Sequence, residues 1–209
     1  MFITFEGGEG AGKSTQVRKL AEAFARAGLP VVTTREPGGS PGAEAIRRLV
    51  VEAGGVAWHP TTEALLFMAA RYDHLETLIK PALARGQTVL CDRFFDSTLV
   101  YQGMVKQVGE EWLARLYHLL YGNAAPEMTL LLDLDPALGL ARAAGRGASA
   151  ETRFESLGLE FHTRLRKGFL QLAHAHPERV HLVDAAASED AIHQNILALV
   201  NQRFGIHLT

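Results

Sequence analysis

A glycine-rich run near the start of the chain has the composition and spacing of a phosphate-binding loop. Residues 7–14, GGEGAGKS, match the pattern G-x-x-x-x-G-K-[ST] at every fixed position, between an apolar run and a helical pattern. Glycines let several backbone N–H groups converge on one anion, and the N-terminus of the following helix adds partial positive charge. We expect Lys13 to reach the β- and γ-phosphates of a nucleoside triphosphate and the Ser14 hydroxyl to bind Mg²⁺. The predicted nucleotide-binding residues are Gly7, Gly8, Glu9, Gly10, Ala11, Gly12, Lys13, Ser14 and Thr15.

Charged side chains also follow the second and third predicted strands. Residues 34–39, TREPGG, come directly after the second strand, and Asp92 and Arg93 come directly after the third. An open parallel sheet has its ligand crevice outside the carboxyl ends of its strands, so these segments are expected to face the phosphate-binding loop. The arginines in them suit a second, anionic ligand.

Two helical segments carry side chains that are spaced to share a face. Phe67 and Arg71 are four residues apart on a predicted helix, so the ring and the guanidinium lie side by side. That pair suits a flat base, because a ring can stack on the base while a guanidinium donates hydrogen bonds. In residues 96–103, DSTLVYQG, the same spacing gives two further pairs, Thr98 with Gln102 and Ser97 with Tyr101. We expect their hydroxyl and amide groups to contact a base edge or a sugar.

The rest of the pattern supplies the elements that position these groups. Short apolar runs alternate with longer helical segments, and most of the runs are apolar throughout, as in a sheet covered on both faces. The predicted strands are 2–5, 31–34, 88–91, 130–134 and 180–183. The predicted helices are 13–27, 43–53, 61–84 with Pro81 as a kink or break, 97–102, 110–121, one that begins at Pro136, 154–175 and 189–204. The sequence predicts an α/β fold, with a doubly wound five-stranded parallel sheet in one domain over residues 1–209.

Composition and charge exclude several other classes of protein. Hydrophobic residues make up 47% of the 209 and charged residues 21%, which is typical of a globular domain rather than a disordered chain. A net charge of −2 argues against a general nucleic-acid binder, and no apolar run approaches the ~18–20 residues that cross a bilayer. The single cysteine, Cys91, excludes an internal disulfide, and the histidines form no zinc pattern. Without a secretion signal at the start, we expect a cytoplasmic protein whose partners include neither nucleic acid nor membrane.

The phosphate-binding loop alone leaves the class of protein open. The Asn-Lys-x-Asp motif of GTP switches is absent, and 209 residues are too few for a large motor or transporter ATPase. These absences favour a small phosphoryl-transfer enzyme. Two alternatives remain: a kinase for another nucleotide, nucleoside or small acid, and a nucleotide-binding sensor without acceptor-dependent turnover.

Five segments together resemble the thymidylate kinases, enzymes that phosphorylate dTMP with ATP. The segments are FEGGEGAGKST (5–15), TREPGG (34–39), TEALLFMAAR (62–71), CDRFFDSTLVYQG (91–103) and RFE (153–155). The resemblance implies a P-loop NTPase-type sheet with a small arginine-bearing lid, ATP and dTMP as ligands, Mg²⁺ as the cofactor and a homodimer. The family usually has Tyr or His after the Asp-Arg pair, where this chain has Phe94, so one peripheral contact is expected to be missing.

The resemblance also implies roles for individual residues. Arg93 would hold the acceptor phosphate, and Asp92 would help to organise the Mg²⁺ shell. Glu9 stands where the eukaryotic branch of the family has a basic residue, a charge that the bacterial branch supplies from the lid. The residues expected around the acceptor are Phe67 stacked on thymine, Arg71 and Gln102 at its polar edge, Thr98 as a further hydrogen-bond partner, Tyr101 near the sugar 2′ position, and Glu36 and Arg47 in the wall.

The predicted lid is the segment of residues 142–155. Arg142 and Arg146 are four residues apart, and Arg153 follows a small, polar stretch, so we expect these arginines to act on the phosphates. Mobile arginines can stabilise the charge on a transferring phosphoryl group and exclude water from it. The predicted catalytic residues are therefore Lys13, Glu9, Arg93, Arg142, Arg146 and Arg153.

Overall fold

The computed structural model describes residues 1–51, 56–145 and 152–209. Its five strands form one parallel sheet in the order β2-β3-β1-β4-β5, which confirms the predicted α/β fold. The strands are β1 (Phe2–Gly7), β2 (Val31–Arg35), β3 (Thr88–Asp92), β4 (Met128–Asp133) and β5 (Val180–Asp184). Strands β2 and β3 lie on one side of the central strand β1, and β4 and β5 lie on the other, so the order in which the chain adds strands changes direction at β1. Ligand sites in such sheets lie at this switch point.

Helices cover both faces of the sheet. They are α1 (Lys13–Arg26), α2 (Pro41–Val51), α3 (Pro60–His74), α4 (Lys80–Ala84), α5 (Phe95–Thr98), α6 (Glu110–Tyr121), α7 (Pro136–Ala144), α8 (Thr152–Glu155), α9 (Gly158–Ala175) and α10 (Glu189–Phe204). Successive side chains of β1 enter different cores: Ile3 packs with Leu20 of α1, whereas Phe2 packs with Met68 of α3. Because both faces are covered, β1 is buried along its whole length and holds the phosphate-binding loop against a rigid support.

The helix predicted over residues 61–84 forms without a break at Pro81. A π-helical turn, Leu75–Ile79, joins α3 to α4, and the Lys80 N–H donates to the carbonyl five residues back, at Leu75. A second π-helical segment, Leu99–Val105, extends α5 and carries Gln102. Single wide turns of this kind are frequent at functional sites.

Two other predicted helices differ from the structure at their ends. The helix predicted over 154–175 is divided into α8 and α9, because Gly158 adopts a left-handed conformation (φ +78°) at the division. The helix predicted over 43–53 begins at Pro41, and its last two predicted positions lie outside the described residues. Across the described ranges, no helix has the length and apolar character needed to span a membrane.

Candidate active site

One cavity lies at the carboxyl ends of β1, β2 and β3, and it contains most of the predicted site residues. Fifteen of them line it: Glu9, Gly10, Gly12, Lys13, Ser14, Glu36, Arg47, Phe67, Arg71, Asp92, Arg93, Ser97, Thr98, Tyr101 and Gln102. The predicted clusters from the loop, two strand ends and two helices therefore meet in one place. Gly7, Gly8, Ala11 and Thr15 belong to the loop but are not among the lining residues.

Lys13 is held by its own loop. Its ammonium donates to the carbonyl oxygens of Gly7 and Gly8, at 3.2 and 2.8 Å. Burial lowers the pKa of Lys13, and the nearby Arg93 guanidinium lowers it further. An anion that approached the loop would offer Lys13 stronger partners than these two carbonyls.

The phosphate-binding loop is seated against α7 through two glycines. A Cβ on Gly139 would lie 2.3 Å from the Glu9 carbonyl oxygen, and a Cβ on Gly10 would lie 2.0 Å from the Gly139 carbonyl oxygen. Both separations are far below van der Waals contact, so neither position has room for a side chain. The helix that begins the predicted lid thus touches the loop backbone directly.

Ser14 and Asp92 form a polar pair beside Lys13. The Ser14 hydroxyl donates to Asp92 Oδ2 at 2.6 Å. The other oxygen, Asp92 Oδ1, is buried and has no hydrogen-bond partner within the described residues. A hydroxyl and an unpartnered carboxylate oxygen beside a phosphate loop are the hard oxygen ligands that Mg²⁺ prefers, so these residues fit the implied metal. No group of three or more His, Cys, Asp or Glu within the described ranges is arranged to hold a metal ion.

Arg93 joins the phosphate-binding loop to the segment that follows β3. One guanidinium nitrogen donates to the carbonyl of Gly7 at 3.0 Å and to Ser97 Oγ at 3.2 Å, and the other donates to Glu9 Oε1 at 2.8 Å. The guanidinium also lies 5.3 Å from the centre of the Tyr101 ring, and the Tyr101 hydroxyl donates to Glu9. Burial alone would raise the pKa of Glu9, but Arg93 and Lys13 lower it to about 2. Glu9 therefore stays charged and fixes Arg93.

The backbone of Arg93 is unusual. Its φ is +69°, a left-handed conformation that non-glycine residues adopt rarely and that is concentrated at functional sites. This turn directs the guanidinium into the cavity at the end of β3.

Glu6 is a buried carboxylate that the sequence analysis missed. Its oxygens accept from the backbone N–H groups of Phe94 and Ser97 and from the Ser97 hydroxyl. Burial and the nearby Asp96 carboxylate raise the pKa of Glu6 to about 7, against the opposing effects of Arg93 and Ser97. The available signal was a glutamate within an otherwise apolar strand. Its contacts hold the turn that carries Arg93 and Ser97.

Arg71 is fixed at the far end of the cavity, with only 2% of its surface exposed. Its Nε donates to Glu36 Oε2 at 2.6 Å, and Nη2 donates to Thr98 Oγ1 at 3.1 Å. The guanidinium lies 5.1 Å from the centre of the Phe94 ring, so Phe94 packs on a site residue. His74 Nδ1 lies 3.0 Å from the other Glu36 oxygen and completes a closed set of contacts.

Aromatic rings form the side of the cavity between these two ends. Phe67 lies 6.3 Å from Phe154 between ring centres, and Tyr101 meets Phe154 edge-on at 5.6 Å. Phe154 and Val51 also line the cavity, and neither was predicted to do so. An aromatic residue in the quoted RFE segment was the signal for Phe154. The walls suit a flat apolar group.

The structure does not bring Arg142 and Arg153, two of the predicted lid arginines, together at the cavity. Arg142 donates to the carbonyl of Ala185, and Arg153 donates to the carbonyl of Val50 and to Glu63 Oε2. Neither is among the residues that line the cavity. Arg146 lies outside the described residues. Their action on phosphates stays a prediction.

Comparisons with known proteins show the family of the chain. The family model described as thymidylate kinase matches residues 5–196. A thymidylate kinase of Caulobacter vibrioides is 53% identical over 205 residues, covering 98% of each chain, and one of Ruegeria pomeroyi is 50% identical over 200 residues, covering 96% of this chain and 94% of that one. The crystal structure of a thymidylate kinase from Ehrlichia chaffeensis superposes with a TM-score of 0.77 at 32% identity, covering 96% of this chain and 98% of that one. The chain therefore belongs to the thymidylate kinase family.

Proposed function

We propose that this cavity is where the chain carries out the reaction of its family, ATP-dependent phosphorylation of dTMP to dTDP. The observation that supports the assignment is the continuity of one cavity from Lys13 at the phosphate-binding loop to Phe67 and Arg71 at its far end. Such a cavity holds a triphosphate at one end and an aromatic base at the other, with the acceptor phosphate between them.

At the phosphate end, ATP lies over residues 7–15. Lys13 leaves the Gly7 and Gly8 carbonyls and binds the β- and γ-phosphates, while the Ser14 hydroxyl and the Asp92 carboxylate hold Mg²⁺. When bound, the cation neutralises charge on the phosphates. Glu9 keeps Arg93 in place, so that its guanidinium meets the acceptor phosphate.

At the base end, the acceptor nucleoside lies against Phe67. Base–aromatic stacking contributes ~1–3 kcal/mol in other proteins. Arg71 donates to a carbonyl of the base, and Thr98 and Gln102 contact the same edge. Tyr101 packs beside the sugar, and Glu36, Arg47 and Ser97 complete the wall.

The reaction requires mainly that the acceptor phosphate and the γ-phosphoryl group are held in position. The acceptor phosphate oxygen is already anionic, so it attacks the γ-phosphoryl group in line without a general base. Charge develops on the equatorial oxygens of that group, where Lys13 and Arg93 stabilise it. The lid arginines, Arg142, Arg146 and Arg153, act on the same oxygens. For that step Arg142 leaves the Ala185 carbonyl and Arg153 leaves Glu63, which stays paired with Lys106.

The test is ADP release with ATP and Mg²⁺ at equal concentrations of dTMP, dUMP, dCMP, dGMP, dAMP and UMP. We expect strong turnover with dTMP and weaker turnover with dUMP, since one methyl group in an apolar pocket is worth only about 1–3 kcal/mol. Lys13→Met is expected to lower kcat by about 10²–10³-fold, the usual cost of one charge-stabilising donor, while Lys167→Met on the exposed face of α9 leaves it unchanged. Preference for another acceptor would overturn the base-end assignment. ATP binding without acceptor-dependent turnover would favour the sensor alternative.

We also propose that the chain forms a homodimer through two neighbouring helices. Leu65 and Tyr72 of α3 are exposed, and Leu119 of α6 is 80% exposed. The Tyr72 and Tyr121 rings lie 6.4 Å apart, so α3 and α6 are adjacent. Apolar surface of this kind favours a second copy. Light scattering should give twice the mass of the chain, and Leu119→Lys should lower it toward that of a monomer.

A further inference from the structure

Glu63 is a fully buried carboxylate at the start of α3 that lies behind the base end of the cavity. It is not among the cavity-lining residues, yet it contacts one of them: Gln102 Nε2 donates to Glu63 Oε1 at 2.8 Å. Two cations complete its surroundings. Lys106 Nζ lies 2.6 Å from Oε1, and Arg153 Nη2 lies 2.7 Å from Oε2.

These contacts decide which end of the Gln102 amide faces Glu63. A carboxylate flanked by two cations has acceptors only, so the group opposite it must be a donor. If the Gln102 amide turned over, its carbonyl oxygen would face a carboxylate oxygen with no hydrogen between them. One hydrogen of the NH₂ group is therefore committed to Glu63. This contact fixes the orientation of the amide and leaves the carbonyl oxygen, at its other end, as the acceptor that Gln102 offers to a ligand in the cavity.

We propose that Glu63 is a positioning residue for base selection, which acts by holding the Gln102 amide with its carbonyl oxygen toward the base. Thymine and uracil have an N–H at ring position 3, which donates to such an oxygen. Cytosine has an unprotonated nitrogen at the same position, and two acceptors would then face each other. The inference rests on the proposed function, because it takes the ligand of this cavity to be a pyrimidine nucleotide.

The test compares two ligands that differ only at this edge of the base, dTMP and 5-methyl-dCMP. Their dissociation constants are measured by calorimetry on the wild-type protein and on Glu63→Gln. A glutamine at position 63 can accept from the Gln102 amide or donate to it, so Gln102 is free to turn over. In Glu63→Gln we expect weaker binding of dTMP and tighter binding of 5-methyl-dCMP. The ratio of the two dissociation constants, which is the preference for dTMP, should fall by on the order of tenfold. General damage to the pocket would weaken the binding of both ligands by the same factor, and that result would overturn the proposal.

Two further variants isolate the orientation of the amide. Lys106→Met removes a partner of Glu63 but keeps its contact with Gln102, so the preference for dTMP should persist. The double variant Glu63→Gln, Gln102→Glu places a carboxylate at position 102, which can only accept. Its preference for dTMP should return toward the wild-type value, and a preference still narrowed in this variant would contradict the proposal.

The wild-type protein gives a second measurement if Glu63→Gln fails to fold. The Gln102 side-chain amide protons, assigned by their loss in Gln102→Glu, should exchange slowly with solvent both before and after dTMP binds. Fast exchange in the free protein would contradict the proposal, because the NH₂ group would then not be held by Glu63. A wild-type protein that does not bind dTMP would refute the proposed function, whereas a preference unchanged in Glu63→Gln would refute only the role of Glu63.

Discussion

At the phosphate end of the cavity Lys13 donates to carbonyls of its own loop, and Asp92 keeps one buried oxygen without a described partner. At the base end, by contrast, the buried charges of Arg71, Glu36 and Glu63 all meet opposite charges. Arg71 pairs there with Glu36 at 2.6 Å, and Glu63 pairs with two cations. The two ends therefore bind ligand differently. If the proposed function holds, Lys13 exchanges partners when the ligand arrives, whereas Arg71 is already in position.

The charge of the ligand explains this difference. Phosphates are anionic, so a bound triphosphate would itself neutralise Lys13. A pyrimidine base is neutral and cannot neutralise a guanidinium, so the charge of buried Arg71 must be balanced by the protein. Glu36 supplies the opposite charge. Arg71 therefore loses its conformational freedom when the protein folds, and its ordering adds no entropy cost when the ligand binds.

The base end should therefore be sensitive to loss of a charge partner. Glu36→Gln leaves Arg71 buried beside a neutral group, and removal of one partner from a buried ion pair costs about 3–5 kcal/mol. We expect the free energy of unfolding to fall by that amount in urea titrations and dTMP binding to weaken. Glu111→Gln is the matched control, because its pair with Arg115 is largely exposed and its loss should give no resolvable change. An equally small change for Glu36→Gln would show that the base end is not organised by this pair.

The phosphate end should instead be sensitive to displacement of backbone. In Gly139→Ala the new Cβ would lie 2.3 Å from the Glu9 carbonyl oxygen, so the phosphate-binding loop or α7 must move. A displacement of about 1 Å at a reacting group can cost up to about 10²-fold in rate. We expect kcat/KM for ATP to fall by between about 10-fold and 10²-fold, with the affinity for dTMP little changed. This outcome would show that the phosphate end can be disturbed without an effect on ligand binding at the base end.

Ala137→Gly is the control for that variant. Ala137 lies on the exposed side of the same helix, so loss of its Cβ lowers helix propensity without displacing the loop. Its kinetics should match the wild type. Equal losses in the two variants would mean that the effect comes from the helix as a whole rather than from its contact with the loop.

The phosphate end was the easier of the two to predict from the sequence. Its residues are contiguous in the chain, and the motif G-x-x-x-x-G-K-[ST] requires a defined local conformation, so spacing alone locates Lys13 and Ser14. The five parallel strands were predicted for a similar reason, since apolar runs between helices report burial on both faces. The clusters at strand ends followed from the topology of such sheets.

The supporting residues of the base end could not be predicted in this way. Glu63 and Arg153 are 90 positions apart, and nothing local in either segment indicates that they form an ion pair. His74 resembles an ordinary polar residue in a helix, and only the three-dimensional packing shows that it is buried. Sequence spacing and the family resemblance together predicted most of the side chains that line the cavity, although Arg142 and Arg153 do not line it. Neither predicted the partners that fix these side chains, because those partners depend on long-range packing.

Two carboxylates near the phosphate end, Glu6 and Glu9, should affect the pH dependence of stability in opposite directions. The pKa of Glu9 is lowered from its ordinary value of 4.5 to about 2. The contribution of Glu9 to the free energy of unfolding is therefore present above pH 4.5 and is lost as the pH falls toward 2. The pKa of Glu6 is raised from 4.5 to about 7, so the folded protein binds more protons than the unfolded chain between these values. Its contribution to stability is therefore complete below pH 4.5 and is lost as the pH rises toward 7.

The variant Glu6→Gln isolates the second effect. A glutamine side chain is neutral at every pH, and it can accept from the Phe94 and Ser97 N–H groups while it donates to the Ser97 hydroxyl, as a protonated Glu6 would. We expect the wild type to lose free energy of unfolding relative to Glu6→Gln between pH 5 and pH 7, at up to about 1.4 kcal/mol per pH unit, with the difference levelling off above pH 7. Urea titrations at pH 5, 6, 7 and 8 measure this difference. Parallel curves for the two proteins would mean that Glu6 carries no extra proton, and the turn that carries Arg93 would then be supported by an ionised carboxylate at every pH of the series.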